Sequence, residues 1–267
     1  MGRMNKTLKL TVITVVYNAI DRIHATIDSV IGQDYDDIEY IIKDGGSTDG
    51  TCELVREIAD KYGNVKYISG SDKGIYDAMN IALSYASGDA VEFLNAGDRF
   101  AYPDVVSRAM TVMRDNGSDI VYGDVLYENP DGTVNRRSYP QSCSNKLYFL
   151  TGDAINHQVM FVRRYLFDGN VFDTSFGICA DREWMLRVGA YRPKCQMLAL
   201  GFVVAMYPLD GESVINKERY KKEADICIRR YMYWGYPIYA AFELFRSNKI
   251  LAQALHGIYK FLYFKKF

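Results

Sequence analysis

Residues 10–50 read LTVITVVYNAIDRIHATIDSVIGQDYDDIEYIIKDGGSTDG, and this stretch decides the fold class. Its first seven residues, Leu10 to Val16, are apolar or β-branched throughout, the composition of a strand buried on both faces. A turn at Tyr17–Asn18 follows. Ile23, Ile27, Val30 and Ile31 then recur at helical spacing and share one face of an amphipathic helix. Ile38 to Lys43 is a second apolar run, opening into Asp44-Gly45-Gly46-Ser47-Thr48-Asp49-Gly50, a loop of small and acidic residues. Strand, helix, strand at this spacing is a βαβ unit, which implies parallel strands.

The pattern continues downstream. Leu54, Val55, Ile58, Ala59 and Tyr62 predict a helix stopping at Gly63, and Val65 to Ser69 a third strand. Ala78, Met79, Ala82, Leu83 and Ala86 predict the next helix, and Ala90 to Leu94 a fourth strand that ends in Asn95-Ala96-Gly97-Asp98. The expected fold is therefore α/β, a Rossmann-like, mostly parallel sheet. In such sheets ligands bind at the carboxyl ends of the strands. Here those ends carry Asn18, Asp44 to Asp49, Asp72-Lys73-Gly74 and Asn95 to Asp98. The second half is mixed: Ile120 to Tyr127 and Thr133 to Tyr139 flank the hairpin signal Asn129-Pro130-Asp131-Gly132. Val159 to Val162 is strand-like, and a helix carrying Trp184, Leu186 and Val188 follows Ala180-Asp181.

The 267 residues include 32 Lys+Arg and 33 Asp+Glu, a formal charge of −1, with 49% hydrophobic and 24% charged residues. This composition excludes a disordered or collagen-like chain. The near-zero charge is a cancellation: residues 217–267 carry eleven Lys/Arg and four Asp/Glu, leaving −8 on residues 1–216. Five scattered cysteines without a C-x-x-C pair fit neither a disulfide framework nor a zinc site and indicate a reducing cytoplasm. The apolar run at Leu10 is too short for a signal peptide core, and Met197 to Leu209 is too short to span a bilayer. No transmembrane helix is expected.

The glycine-rich loop at Asp44 lacks both G-x-x-x-x-G-K-[ST] and G-x-G-x-x-G, so neither an ATPase nor a nicotinamide-binding reading is supported. Asp49 reads first as a helix cap. Asp44, at the end of a strand, suits hydrogen bonding to a ligand's ribose or base. Asp98, just beyond a buried strand, suits Mg²⁺ or Mn²⁺ holding phosphate oxygens, with a turn cap as the other reading. Asp181, read from the residues alone, is more simply a helix N-cap. His157 has no second His nearby and no Cys at ligand spacing, which favours a structural or acceptor-site role over a metal role.

The ordered segments TVITVVYN, Gln33, IIKDGGSTDGT, DKGIYDAMNIALSYASGD and FLNAGD, with Asn156-His157-Gln158 and ADREW at 180–184, resemble the family 2 glycosyltransferases with the GT-A fold, of the bacterial polysaccharide-biosynthesis type. The resemblance spans roughly residues 8 to 210 and implies inverting transfer of a sugar from a nucleotide-diphosphate donor to an acceptor hydroxyl, a hexosyltransferase-type activity. By position it implies that Val16, Asn18, Asp44, Asp72, Lys73 and Asn95 bind the donor, with a UDP-sugar favoured. It places Asp98 at the metal, Asp181 as general base with Glu183 as the alternative, and His157 and Trp184 on the acceptor side. The chain departs from the common pattern in having Lys43-Asp44 where relatives read Asp-Asp, and Asn95-Ala96-Gly97-Asp98 where they read Asp-x-Asp-Asp. That leaves one carboxylate for Mg or Mn. A nucleotidyltransferase on a related fold and a non-catalytic member of an assembly complex are the alternatives.

Two segments are expected: a GT-A domain over residues 1–216 and a basic, aromatic, helical C-terminal segment over 217–267. The latter holds 13 of the 37 aromatic residues, and Pro237 interrupts its helical pattern. Basic residues interleaved with Trp, Tyr and Phe suit an anionic membrane surface. This implies a cytoplasmic protein, peripheral on the inner face of the cell membrane, with a lipid-linked or saccharide acceptor. A helix packed on the catalytic domain with a solvated basic face is the other reading. No nucleic-acid partner is expected.

Overall fold

A computed structural model describes residues 7–140, 154–190, 195–209 and 215–247. Cys143 and residues 248–267 of the basic tail lie outside the described residues. Strand β1 (Leu10–Val16) is buried along its whole length. It lies between β2 (Ile38–Asp44) and β4 (Ala90–Phe93), and β3 (Val65–Ser69) adds beyond β2, all in parallel register. Connecting them are α1 (Ile20–Ile31), α2 (Thr51–Lys61) and α3 (Ile75–Leu83), each with a buried apolar stripe against the sheet. The βαβ reading of the first hundred residues holds, and it aligns the ends of β1, β2 and β4 along one edge.

Beyond β4 come β5 (Arg99–Phe100), α4 (Val105–Asn116), β6 (Ile120–Glu128), β7 (Val134–Arg137), β8 (Met160–Arg163) and β9 (Met197–Pro208). The order across the sheet is β3-β2-β1-β4-β8-β6-β9-β5, with β7 paired to β6. β8 runs antiparallel to both β4 and β6, whereas β9 lies parallel to β6 with a bulge near Asp124. The sheet is thus parallel in its first half and mixed in its second. The weakly polar stretch at 197–209 is accounted for by β9. No helix among the described residues is long and apolar enough to cross a membrane.

Helix α2 has Tyr62 as its C-cap, which places Gly63 just past the helix end, as expected. One local expectation is corrected: the helix after Ala180 is regular only over α5 (Ala180–Met185), then widens into a π-type turn at Leu186–Ala190. The helical pattern of the tail is interrupted just before Pro237, which sits in the first turn of α7 (Tyr236–Ser247), where its missing N–H costs nothing. Before it, α6 (Lys217–Met232) buries Ala224, Cys227, Ile228 and Met232 in the same core as the sheet, so this part of the tail is packed on the domain.

Candidate active site

Four loops meet at the carboxyl edge of β1, β2 and β4, and each is shaped by its own side chains. The Asp44 carboxylate is buried and accepts the backbone N–H groups of Gly46 and Ser47, the Ser47 hydroxyl and the Cys52 thiol. Burial pushes this carboxyl up, but the hydrogen bonds from Cys52, Ser47 and Gly46 outweigh it and hold the group below its ordinary value. Ser47 Oγ in turn accepts the Asn18 N–H at 2.7 Å, and Asn18 Oδ1 accepts the Thr48 N–H at 2.9 Å. Asn18 takes a left-handed φ of 47° to do so, a conformation Asn tolerates better than most residues. Asp49 accepts Thr51 N–H through one oxygen and Ile20 N–H through the other, serving the starts of both α2 and α1. The Gly45 N–H is held by Val16 O at 2.9 Å. Val16, Asn18 and Asp44 are therefore brought together, and Asp44 shapes the loop from within.

Lys43 is buried, 1% exposed, and its Nζ donates to Asp44 O, Gly70 O and Asp72 Oδ2 at 2.6–2.8 Å. Asp72 Oδ1 accepts the Gly74 N–H. A Cβ on Gly45 would lie 3.1 Å from Asp72 Oδ2 and 3.2 Å from the Tyr17 ring, so the absent side chain is what lets these three loops converge. The Tyr17 ring, 65% exposed, stands at this junction. Lys73 is exposed beside it and forms no ion pair among the described residues.

At the end of β4, Gly97 has φ 101° and its N–H is held by Thr26 Oγ1 of α1, turning the chain so that Asp98 is largely buried at the edge. Six residues earlier, within β4, Glu92 is fully buried with no hydrogen-bond partner on either oxygen among the described residues, and burial together with the charge of Asp98 pushes its carboxyl well above the usual range. Among the described residues no three His, Cys, Asp or Glu side chains gather as a metal site. Asp98 can offer one oxygen ligand, so a cation here would draw most of its ligands from a bound diphosphate and water, as Mg²⁺ commonly does.

Facing this edge is Asp181, in the first turn of α5. Its Oδ1 accepts the Arg182 N–H at 2.8 Å and lies 3.0 Å from the Tyr76 hydroxyl; its Oδ2 lies 2.9 Å from His157 Nδ1. Burial pushes the Asp181 carboxyl up, yet His157, the Arg182 N–H and Tyr76 outweigh it and keep the group below its ordinary value. The carboxylate is ionised at neutral pH and retains a side-chain exposure of 20%. His157 opens a 3-10 turn (His157–Val159) that precedes β8, and its Nε2 lies 2.9 Å from Asn95 Nδ2. The turn is anchored by Asn156, which accepts from Tyr139 and donates to Tyr207.

Two sequence expectations change here. Trp184 is no acceptor-side surface: it is 1% exposed, stacked on Phe167 at 4.6 Å, with its indole N–H donated to Asn170 O. Glu183 is no alternative base: it is buried against Arg187, which donates twice to it, and against the Tyr231 hydroxyl of α6. Two residues separate it from Asp181, about 200° around the helix, enough to turn it to the opposite side of α5. Tyr76, which reaches Asp181 across 105 residues, is the contributor that sequence reading missed. Nothing local distinguishes it from a helix core residue.

Loops of small and acidic residues along the carboxyl edge of a parallel sheet form a ligand-binding arrangement, and the family comparisons say which kind. The model for glycosyl transferase family 2 matches residues 11–182, and the chain belongs to that family. A PGL/p-HBAD biosynthesis glycosyltransferase of Mycobacterium bovis is 30% identical over 219 residues, 79% of this chain and 82% of its own. An uncharacterized glycosyltransferase of Mycobacterium tuberculosis is 30% identical over 210 residues, 78% of each chain. Staphylococcus aureus TarS 1–349, solved with UDP-GlcNAc, superposes with a TM-score of 0.67 at 18% identity, covering 88% of this chain and 71% of that one. The mannosyltransferase PcManGT of Pyrobaculum calidifontis, solved with GDP-Man and Mn²⁺, superposes with a TM-score of 0.61 at 17% identity, covering 97% and 81%. The protein is a GT-A glycosyltransferase that uses a nucleotide-sugar donor, and the nucleotidyl-transfer and non-catalytic alternatives are set aside.

Proposed function

We propose that the chain is an inverting glycosyltransferase in which Asp181 is the general base. The observation carrying this reading is the Asp181 carboxylate itself: ionised, partly accessible, fixed by three groups, and facing the edge where the donor loops end. In this reading the acceptor oxygen attacks the anomeric carbon from the face opposite the diphosphate, and its proton passes to Asp181. The bond from the anomeric carbon to the phosphate oxygen breaks, releasing a nucleoside diphosphate. A positioned base is typically worth about 10²–10⁴ in rate. Val16, Asn18, Asp44, Asp72 and Asn95 frame the nucleoside and diphosphate, and the free ammonium of Lys73 stabilises the charge of the leaving group. Mg²⁺ or Mn²⁺ held at Asp98 would supply further neutralisation there.

A UDP-sugar is the favoured donor, because the TarS neighbour binds one; the GDP-Man complex of the second neighbour makes GDP the comparison to run. A panel of UDP-, GDP- and dTDP-hexoses, each with and without Mn²⁺, identifies the donor by thermal stabilisation. Asp181→Asn should retain that stabilisation and lose nucleoside diphosphate release; a fully active Asp181→Asn overturns the base assignment.

The acceptor is proposed to be lipid-linked, in cell-surface polysaccharide assembly, with the enzyme peripheral on the cytoplasmic face of the membrane. Exposed Tyr233, Trp234, Ile238 and Leu244 beside Arg229 and Arg230 support this, since aromatic and basic groups together favour an anionic interface. Co-sedimentation with phosphatidylglycerol vesicles compares the full chain with a full-length Tyr233→Ser/Trp234→Ser variant. Reduced partitioning of the variant is expected; equal partitioning removes the membrane reading.

A further inference from the structure

Asp181 and the end of β4 are joined by one imidazole. His157 Nδ1 lies 2.9 Å from Asp181 Oδ2 and Nε2 lies 2.9 Å from Asn95 Nδ2, with only 11% of the side chain exposed. An ionised carboxylate accepts only, so Nδ1 must carry the proton; Nε2 then presents its lone pair, which the Asn95 N–H fills. The ring is therefore held in one tautomer and one orientation by two groups 86 residues apart in sequence. The Asn95 side chain, at the end of β4, faces the histidine. Among the described residues its Oδ1 is buried without a partner, and its amide nitrogen is the atom that faces Nε2.

We infer that His157 is a positioning residue that couples the base to the donor-side loop: Asn95 sets the imidazole tautomer, and the imidazole Nδ1–H sets which lone pair of Asp181 is free for the acceptor hydroxyl. The inference rests on the assignment of Asp181 as base. One oxygen of Asp181 is taken by the Arg182 N–H and by Tyr76, and the other by His157, so the direction left open for a proton is the one these three do not occupy. Without the Nδ1–H the carboxylate is free to rotate, and the acceptor loses its aligned partner while the donor loops stay intact. The coupling also works in the other direction, because a displaced Asn95 releases the ring.

The test uses substitutions that split the two contacts. An Asn side chain at 157 places its amide N–H where Nδ1 stood, whereas a Gln places it where Nε2 stood. With the panel member that stabilises the protein most, UDP-N-acetylglucosamine being the first probe, nucleoside diphosphate release is measured for the full-length His157→Asn, His157→Gln and His157→Phe variants. For Gln and Phe, kcat should fall about 10–100-fold, the usual effect of losing an orienting partner. Donor KM should stay within about twofold, and Asn should recover most of the loss. Equal losses in all three variants, no loss in any, or a loss confined to donor KM overturns the inference. In the wild-type protein, ¹⁵N spectra of the imidazole, assigned against His157→Asn, should show Nδ1 protonated and Nε2 bare; the opposite tautomer overturns it independently of any variant. Asp181→Asn separates the two levels. If it is inactive while the His157 series shows no pattern, the base stands and the coupling fails; if it is active, the base assignment itself fails.

Discussion

The carboxylate of Glu223, on α6, accepts the backbone N–H groups of Ile178 and Cys179 at 2.8 and 3.0 Å, two to three residues before Asp181. It also takes the Gly177 N–H and an ion pair from Arg219. The first helix of the basic segment therefore builds the platform on which Asp181 stands. A chain ending at Asn216 would lose both this platform and the apolar face of α6, so membrane binding has to be tested on the full chain.

Removing Glu223 should damage stability and activity together. Glu223→Ala leaves the buried N–H groups of Ile178 and Cys179 without this acceptor, each costing about 1–3 kcal/mol, along with the part-buried N–H of Gly177, and kcat should fall more than donor affinity. Thermal unfolding and donor titration read the two effects. Burial raises the Glu223 carboxyl but the Ile178 N–H and Arg219 outweigh it, holding it below its ordinary 4.5. Its stabilising contribution is present above pH 4.5 and is lost as pH falls through the lower folded value. The stability gap between wild type and Glu223→Gln should accordingly narrow below pH 4.5.

Glu92 has the opposite sign. Its folded carboxyl is raised above 4.5 by burial and by Asp98, so the folded state binds the extra proton and stability falls as pH rises from 4.5 towards the folded value. Glu92→Gln should flatten that decline and be the more stable protein at pH 7. Each kcal/mol regained raises Tm by about 2–4 °C in a chain of this size. A melting series from pH 4 to pH 8 that stays parallel for the two proteins contradicts this.

Glu183→Gln should keep kcat within about twofold, because the residue faces Arg187 and Tyr231, and it should lower stability by about 1–3 kcal/mol as Arg187 loses its charged partner and keeps Asn170 and Val171. A large kcat loss at unchanged stability would return Glu183 to the chemistry.

Trp184→Ala should cost about 3–5 kcal/mol, as expected for an aromatic side chain removed from a packed core. Trp184→Phe should cost less and leave acceptor KM unchanged. A selective rise in acceptor KM for Trp184→Phe would put the indole at the acceptor after all.

The half of the molecule built from local βαβ units was readable because each strand, helix and turn announces itself within a few residues. Leu10–Val16 and Val65–Ser69 fall on the expected residues, and Ile38–Asp44 runs one residue past the expected end. The acidic strand ends fell where parallel geometry requires. What could not be read depends on distant partners. Glu183 and Trp184 stand two and three residues beyond Asp181 and read as any helical acid and aromatic, and only packing of Trp184 on Phe167 and of Glu183 against Tyr231 decides that both are interior. His157 carried no constellation in sequence because its partners lie 62 residues before it and 24 after. The parallel pairing of β6 with β9 and the service of Glu223 to Cys179 are equally non-local, and no periodicity encodes them.

The burial of Lys43 divides the amines of the donor edge into two kinds. Its Nζ gives all three hydrogens to oxygen atoms inside the fold, while Lys73, the residue immediately after Asp72, is exposed to solvent. An amine-directed reagent applied to the folded protein will therefore modify the second and spare the first. The same contrast means that acetylation on the surface can silence one positive charge of this edge and leave the other, which fastens Asp72 to its loop, untouched.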